Sequence, residues 1–474
     1  MNTTAPIIQQ QELTTNCNNA CKFCYNPERC IEAFEPRSEE KQRNIKVAEL
    51  SVKKGVMAVC PTGGEPFLVG NHLFDILRIY KQADCYTSIN TNGRLIDNKI
   101  AQKLAKLGLN SALISLHGVD ELHNEMVGDK KAFKETWQGI IRLRSNGIPV
   151  TPNFVATAKN VHGLIRTGKE LAEIGFKSMT VTPFLPSWGA ESHSQFILQK
   201  QHYRQYFTAI GEIRKLGLKI DSTLPIPPCV LIKLFSDEWS TFIDVHSPRV
   251  CMAGRSFGVV SPDGCFRSCI QAPYLPDFGG NMIENYEKSW SNANKWAEQN
   301  LIPKECFNCH VLDICGGGCR TSCMWSNKGG VKGKTMYMGA PLSEDQAIVF
   351  NKKSKVTISQ PHKEQTYQWR EGVKFRDEGW GVIAFNPANQ SFTVLSKEPS
   401  TQKQKGDVKF SSPKTTRVLL AIRAIRKTKS NKACFVNQAQ IIPAKKLLPR
   451  LAHNLNDAES VHCLRADTGE RYFF

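Results

Sequence analysis

Short apolar runs alternate with amphipathic stretches between residues 8 and 225. Gly55–Val59, Cys85–Asn90, Ser111–Leu116, Val150–Val155 and Ser178–Thr182 have the composition of short strands. Between them, Ile100–Leu107 and Phe133–Ile141 place apolar residues at helical spacing. Each is followed by a glycine suited to close a helix, Gly108 and Gly147. Repeated strand–helix units build parallel sheets or barrels, whose ligands bind at the C-terminal ends of the strands. Chain order alone leaves open sheet and barrel both possible. Across 226–325 the alternation gives way to cysteine and glycine, and Trp325 to about Gln360 is polar and basic, as a linker would be. Strands return at Val373–Arg376, Gly381–Phe385 and Ser391–Leu395, with a turn at Asn386–Asn389 and a helix-like stretch at Lys414–Ile425.

A chain of 474 residues exceeds one core, so two to four domains are expected. No apolar run of membrane-spanning length occurs, and Met1–Pro6 lacks the basic and apolar regions of a signal peptide. A cytoplasmic protein is therefore expected. In that compartment 17 cysteines indicate metal ligands or redox thiols, and eight of them fall between Cys251 and Cys323. The net charge of +19 is uneven. Residues 326–474 hold 26 Lys and Arg against 12 Asp and Glu, which suits an acidic partner, peptide or nucleic acid, or simply a solvated basic face.

Cys17, Cys21 and Cys24 form C-x3-C-x2-C, followed by Tyr25. Three thiolates are one short of the four that a 4Fe-4S cluster takes, which leaves an iron open for a substrate or cofactor. A three-cysteine zinc site completed by a distant histidine is the alternative. The motif resembles the radical S-adenosylmethionine (SAM) enzymes, and the resemblance implies a partial six-stranded α/β barrel whose open iron chelates SAM. Gly63-Gly64-Glu65-Pro66 resembles the family's GGEP segment, which contacts the SAM amino group through Glu65 or neighbouring carbonyls. Asn90–Gly93 and Ser115–Gly118 resemble its TNG and SLDG segments, making Asn92 and Ser115 the expected contacts to ribose or carboxylate. Two departures stand out: His117 occupies a position where Asp is frequent, and Val127 lies near one where Arg is frequent.

Cys251-x12-Gly264-x4-Cys269, then Cys306-x2-Cys309-x5-Cys315-x3-Cys319 and Cys323, resemble the seven-cysteine SPASM pattern. Soft thiolates so spaced can wrap two auxiliary iron–sulfur clusters, or zinc ribbons. By family analogy Cys251, Cys269 and Cys319 hold the first cluster, and Cys306, Cys309, Cys315 and Cys323 the second. Two full clusters need an eighth thiolate. Cys229 is a candidate, or the first cluster keeps an open iron. Cys265, Cys434 and Cys463 belong to no motif.

Tyr367–Phe385 resembles the first strands of the winged-helix, PqqD-like recognition element of peptide-modifying systems, in which a leader peptide adds a strand to a three-stranded sheet. A basic module suits an acidic leader. A winged helix that binds nucleic acid, or that merely packs on the enzyme, is the alternative. The expected division is thus a radical SAM core at 8–225, a SPASM domain at 226–330, a linker at 331–364 and a winged-helix-like domain at 365–474. The expected activity is reductive cleavage of SAM to a 5′-deoxyadenosyl radical, which abstracts hydrogen from a residue of a ribosomally made precursor peptide and so installs a modification such as a cross-link. Flavodoxin or ferredoxin would supply the electron, and membrane and nucleic acid are not expected partners. His117 and His123 are unranked acid–base candidates. The rivals are a maturase of another enzyme or of a small molecule or tetrapyrrole, and a zinc-ribbon nucleic-acid-binding protein.

Overall fold

The computed structural model describes residues 3–26, 38–186, 191–222, 226–235, 251–272, 275–297, 302, 304–321, 342, 346, 366–379, 381–388, 391–395, 407–410, 425–428, 434–436, 461–465 and 471–473. Seven parallel strands lie side by side in chain order: β1 (Ile8–Glu12), β2 (Ala58–Thr62), β3 (Tyr86–Thr91), β4 (Ser111–Ser115), β5 (Val150–Ala156), β6 (Ser178–Pro183) and the short β7 (Lys219–Asp221). Helices α1 (Ser38–Lys53), α2 (His72–Gln82), α3 (Asn98–Leu107), α4 (Glu121–Val127), α5 (Ala132–Ser145), α6 (Leu164–Glu173) and α7 (Lys200–Lys215) connect them. A doubly wound sheet reverses its strand order at a switch point. Across β1 to β7 the order never reverses, and among the described strands none joins β7 back to β1. The fold is the expected partial α/β barrel.

Strand alternation divides inside from outside. Ile89, Ala112, Ile114, Phe154 and Ala156 pack with Leu77, Leu104, Ile140 and Leu143 of the helices in the main core. Their neighbours Ser88, Asn90, Leu113, Ser115, Asn153 and Val155 are half-buried on the opposite face, toward the barrel lumen. β1 was not among the expected strands because Ile8-Gln-Gln-Gln-Glu12 is polar. Two of its glutamines, Gln9 and Gln11, are nonetheless buried and bonded: Gln9 Nε2 donates to Ser51 Oγ (2.7 Å), and Gln11 donates to the Asn44 carbonyl (2.9 Å) and accepts from Tyr80 (2.7 Å). β2 starts three residues later than expected, since Gly55, at φ +75°, still belongs to the turn out of α1.

After α8 (Pro228–Phe235) the chain returns to the same sheet. β8 (Phe257–Val260) pairs parallel to β1, while β9 (Cys265–Arg267) and β10 (Gly279–Asn281) extend the sheet antiparallel. α9 (Tyr286–Asn294) packs on this extension, and its Trp290 Nε1 donates to the Thr3 carbonyl (2.7 Å). The one-turn α10 (Leu312–Cys315) follows.

The described C-terminal residues form two sheets. β11 (Thr366–Trp369), β15 (Asp407–Phe410), β16 (Ile425–Thr428) and β17 (Cys434–Val436) make one. The antiparallel sheet of β12 (Lys374–Asp377), β13 (Val382–Asn386), β14 (Ser391–Leu395), β18 (Val461–Arg465) and β19 (Arg471–Phe473) makes the other. The three expected strands are present, within a larger array than a three-stranded winged helix. Residues 414–424 of the expected helix lie outside the described residues, and Ile425 opens β16.

The five-stranded sheet seats on the N-terminal ends of β1 and β2. Ile383, Phe385, Phe392 and Val394 pack against Ile7, Ile8, Met57, Ala58 and Met252. Arg376 donates to the carbonyls of Ala5 (2.8 Å), Pro6 (3.0 Å) and Gly55 (2.9 Å) and pairs with buried Glu378 (2.6 Å). Glu378 in turn accepts from the Thr4 amide (2.7 Å). Arg376→Ala would strand that carboxylate and three carbonyls. It is expected to lower stability by about 3–5 kcal/mol, read as a shift of the denaturation midpoint.

Candidate functional site

Every motif loop leaves the sheet at the C-terminal ends of the strands. Cys17, Cys21 and Cys24 follow β1, Gly63–Pro66 follow β2, Asn92 and Gly93 follow β3, and Ser115 ends β4 before His117. The first two loops are zipped together by backbone bonds. Leu13 N donates to Thr62 O (2.9 Å), Gly64 N to Thr14 O (2.8 Å) and Glu65 N to Asn16 O (2.7 Å). A Cβ on Gly63 or Gly64 would overlap the carbonyl oxygen of Thr14 or Asn16 respectively. The glycines are thus required by the cysteine loop itself. Tyr25 closes the contact by donating to Gly63 O (3.2 Å).

The rest of the cysteine loop is held from the other side. Ala20 N donates to Val127 O (2.8 Å) and Lys22 N to Met126 O (3.3 Å), both at the end of α4. Arg94 donates to Asn18 O (2.8 Å) and Asn19 Oδ1 (2.7 Å) while pairing with Asp129 (2.8 Å) and Glu135 (2.7 Å). The sequence reading missed Arg94, although it directly follows the Asn92-Gly93 motif. A buried ion pair between Glu12, at the end of β1, and Arg267 of β9 joins the barrel to the cysteine-rich region. It lies among the sites: burial first, then Glu12 and Cys24, raise the Tyr25 hydroxyl well above its ordinary value, while Arg267 acts on both Tyr25 and Cys269.

Glu65 is wholly buried and already engaged. Its carboxylate accepts from Phe67 N (3.2 Å), Thr91 Oγ1 (2.7 Å) and Asn92 N (2.8 Å), capping the turn Pro66–Val69 and pinning the end of β3. Burial pushes its carboxyl up to about 7, against the pull of those donors. Asn92 is engaged as well: its Nδ2 donates to Asn18 Oδ1 (2.6 Å) and its Oδ1 accepts from Arg94 N (3.0 Å). Ser115 is half-buried on the lumen face. Nearby, Gln10 Oε1 and Asn153 Oδ1 are buried without a partner among the described residues. Orphaned acceptors in a lumen, beside a rigid three-thiol loop, fit a polar, cationic cofactor such as SAM on an iron–sulfur cluster.

His117 and His123 serve the backbone. His117 Nδ1 accepts from Val155 N (3.2 Å), and His123 Nδ1 accepts from His117 N (3.0 Å). Phe23 meets the His117 ring edge-on at 4.9 Å. Burial holds both imidazoles far below their ordinary value, at about 3, helped at His117 by His123 and at His123 by Arg94. Neither is charged at neutral pH, so neither is suited to donate a proton as an imidazolium. The unfolded state protonates below about pH 6.5 while the folded state resists until about 3, so stability is lost as pH falls through that window. His123→Asn should flatten the dependence by about 1.4 kcal/mol per pH unit below 6.5, measured by denaturant titration across pH.

Cys251 and Cys319 are the thiols that bear most on Cys269, which burial pushes up to about 12. Cys251 and Cys269 pack beside Ala253, Ala272 and Trp296. Cys306 is likewise pushed up to about 12 by burial, then by Cys229 and Cys309, and Cys315 is raised by burial and the same group. Clustered thiols that resist ionisation are relieved by a cationic metal core. Cys323 lies outside the described residues. Among the described residues no three His, Cys, Asp or Glu side chains stand close enough to grip a single ion.

Residues 12–166 match the Radical SAM superfamily. Over 333 residues the chain is 25% identical to the PqqA peptide cyclase of Gluconobacter oxydans (strain 621H), covering 67% of this chain and 87% of that one. Over 329 residues it is 26% identical to the AdoMet-dependent heme synthase of Methanosarcina barkeri (strain Fusaro / DSM 804), covering 67% and 92%. Native anSMEcpe with bound AdoMet shares the fold, with a TM-score of 0.53 at 18% identity over 73% of this chain and 96% of that one.

Proposed function

With a radical SAM domain at residues 12–166 as the premise, we propose that the chain uses SAM to modify a ribosomally made peptide. The observation that carries the radical chemistry is the three-cysteine loop, fastened to the Gly63–Glu65 loop at the mouth of an open barrel. Cluster and SAM, when bound, supply a 5′-deoxyadenosyl radical. The chain's own work is positional. Cys17, Cys21 and Cys24 hold the cluster, and Ser115, Gln10 and Asn153 face the lumen where SAM would lie. Arg94, Asn92 and Glu65 keep the loops rigid.

The peptide substrate rests on similarity to a peptide cyclase. A second reading, a tetrapyrrole or other small molecule, is favoured by comparable similarity to a heme synthase. Two measurements separate them: the mass of a peptide encoded beside this gene after coexpression, and deuterium transfer from that peptide, suitably labelled, into 5′-deoxyadenosine. A mass change with transfer supports the peptide reading. Turnover of a porphyrin with neither would replace it.

The proposed division keeps 8–225 as the SAM core, 226–330 as the SPASM domain, 331–364 as a linker and 365–474 as the leader-binding element. The reading of that tail rests on Tyr367–Phe385 and its basic charge. Deleting 365–474 would uncover Ile7, Ile8 and Met57, so lost activity would not identify a leader site. Charge-reversing substitutions at tail lysines, scored by peptide affinity, avoid that confusion. A cytoplasmic setting with a flavodoxin or ferredoxin donor completes the proposal; among the described residues no helix is long and apolar enough to cross a membrane.

A further inference from the structure

We propose that Arg267 and Gln271 are positioning residues that hold the turn carrying Cys269 as a bridge across the open seam of the barrel, from the end of β1 to the segment after β6. The purpose of the bridge, to fix a later cysteine over the mouth that bears the Cys17–Cys24 loop, rests on the function proposed above; the bridge itself does not. The sheet register accounts for its first anchor. Gln9 and Gln11 bond to residues of the surrounding helices, which leaves Gln10 and Glu12 on the lumen face of β1. Gln10 pairs with Val259 of β8, and Val259 pairs with Arg267 of β9. Paired residues share a face, and the chain neighbours Val260 and Phe266 turn the other way, into the main core. Arg267 therefore stands on the lumen face. From there its guanidinium crosses β8 to the carboxylate of Glu12, the two side chains being 8% and 4% exposed.

The same guanidinium folds the turn. Its Nη1 donates to Ile270 O (3.0 Å) and Ala272 O (3.4 Å), just past Cys269. Within the turn Ala272 N donates to Cys269 O (3.0 Å), and at its root Ser268 Oγ donates to Ala293 O (2.8 Å) of α9. The far anchor is Gln271, whose Nε2 donates to Leu185 O (3.3 Å). Leu185 is buried two residues beyond the end of β6. In the ten-stranded sheet β6 lies next to one edge and β9 next to the other. The Gln271–Leu185 bond thus joins two flanks that no described strand closes. Pairing with a carboxylate while gripping two carbonyls is a task for the planar fork of Arg, which Lys lacks.

The test labels the metal-free full chain with a maleimide and maps each thiol by mass spectrometry. Cys269 is half-buried, so its rate reports how firmly the turn is held; Cys60 and Cys85, buried in the barrel, are internal controls. Arg267→Gln and Gln271→Ala should each speed labelling of Cys269 by about tenfold or more, with Cys60 and Cys85 unchanged. Glu12→Gln should match Arg267→Gln, and the two together should add nothing further. Arg267→Lys keeps the charge beside Glu12 without the fork, so labelling should stay fast. Full recovery in that variant would reduce Arg267 to a counter-ion and overturn its positioning role. An unchanged rate at Cys269 in Arg267→Gln or Gln271→Ala, or equal acceleration at Cys60 and Cys85, would overturn the bridge. Should Arg267→Gln not fold, Gln271→Ala decides alone, since it removes one partly exposed, uncharged side chain. Because the labelling is done without metal, zinc in place of iron would defeat the radical reading and leave this result standing.

Discussion

Cys21→Ala is expected to abolish reductive SAM cleavage, forfeiting an acceleration on the order of a millionfold or more, while iron remains on the later cysteines. The effect should be local because the loop does not depend on the thiol for its shape. On either side of Cys21, the amides of Ala20 and Lys22 are bonded to Val127 and Met126, and Arg94 grips Asn18 and Asn19. The melting midpoint should therefore hardly move. If all three sites fill, iron should fall by about one third. Loss of all iron would mean that the sites assemble as one unit.

Gly64→Ala is expected to be nearly as damaging without touching a ligand. Its Cβ would meet the backbone carbonyl of Asn16, one residue before Cys17, and backbone cannot swing aside as a flexible side chain can. Either the Gly64–Thr14 and Glu65–Asn16 bonds break or the cysteine loop shifts. Overpacking of this kind costs about 1–3 kcal/mol, and displacing a support of a metal ligand lowers affinity by about 10–100-fold. Iron retention at Cys17, Cys21 and Cys24 under chelator competition is the readout. Gly211→Ala in α7 is the control, since a side chain there meets nothing within 4 Å and its backbone is not in the left-handed region.

These two substitutions show what the chain discloses locally and what it does not. Strands β3 to β6 were legible because their alternation places apolar residues against helices and polar ones in the lumen. The glycines after β2 were legible as a motif, though their steric partner, the cysteine loop some fifty residues earlier, was not. β1 escaped notice because Gln9 and Gln11 are buried through long-range bonds to Ser51, Asn44 and Tyr80, which no periodicity reveals. Glu65 read as a candidate ligand contact, yet its oxygens are occupied by Phe67, Thr91 and Asn92. The seating of the C-terminal sheet under the barrel depends on Arg376 and Glu378 finding Ala5, Pro6, Gly55 and Thr4, contacts across more than three hundred residues.

The arrangement also separates two ends of the molecule. The Cys17–Cys24 loop lies at the C-terminal ends of the strands, whereas the five-stranded sheet packs on the N-terminal ends of β1 and β2. A leader held on that sheet would have to run along the barrel wall before its core reached the mouth. The tail's basic charge would then act in capture, distant from chemistry.

Anaerobic reconstitution of the unmutated chain, reduction, and quantification of 5′-deoxyadenosine and methionine formed from SAM test the central claim most directly. The account predicts both products, dependent on iron and sulfide and absent in Cys21→Ala. A chain that binds zinc without iron or sulfide, or that is iron-loaded yet leaves SAM intact, would contradict it.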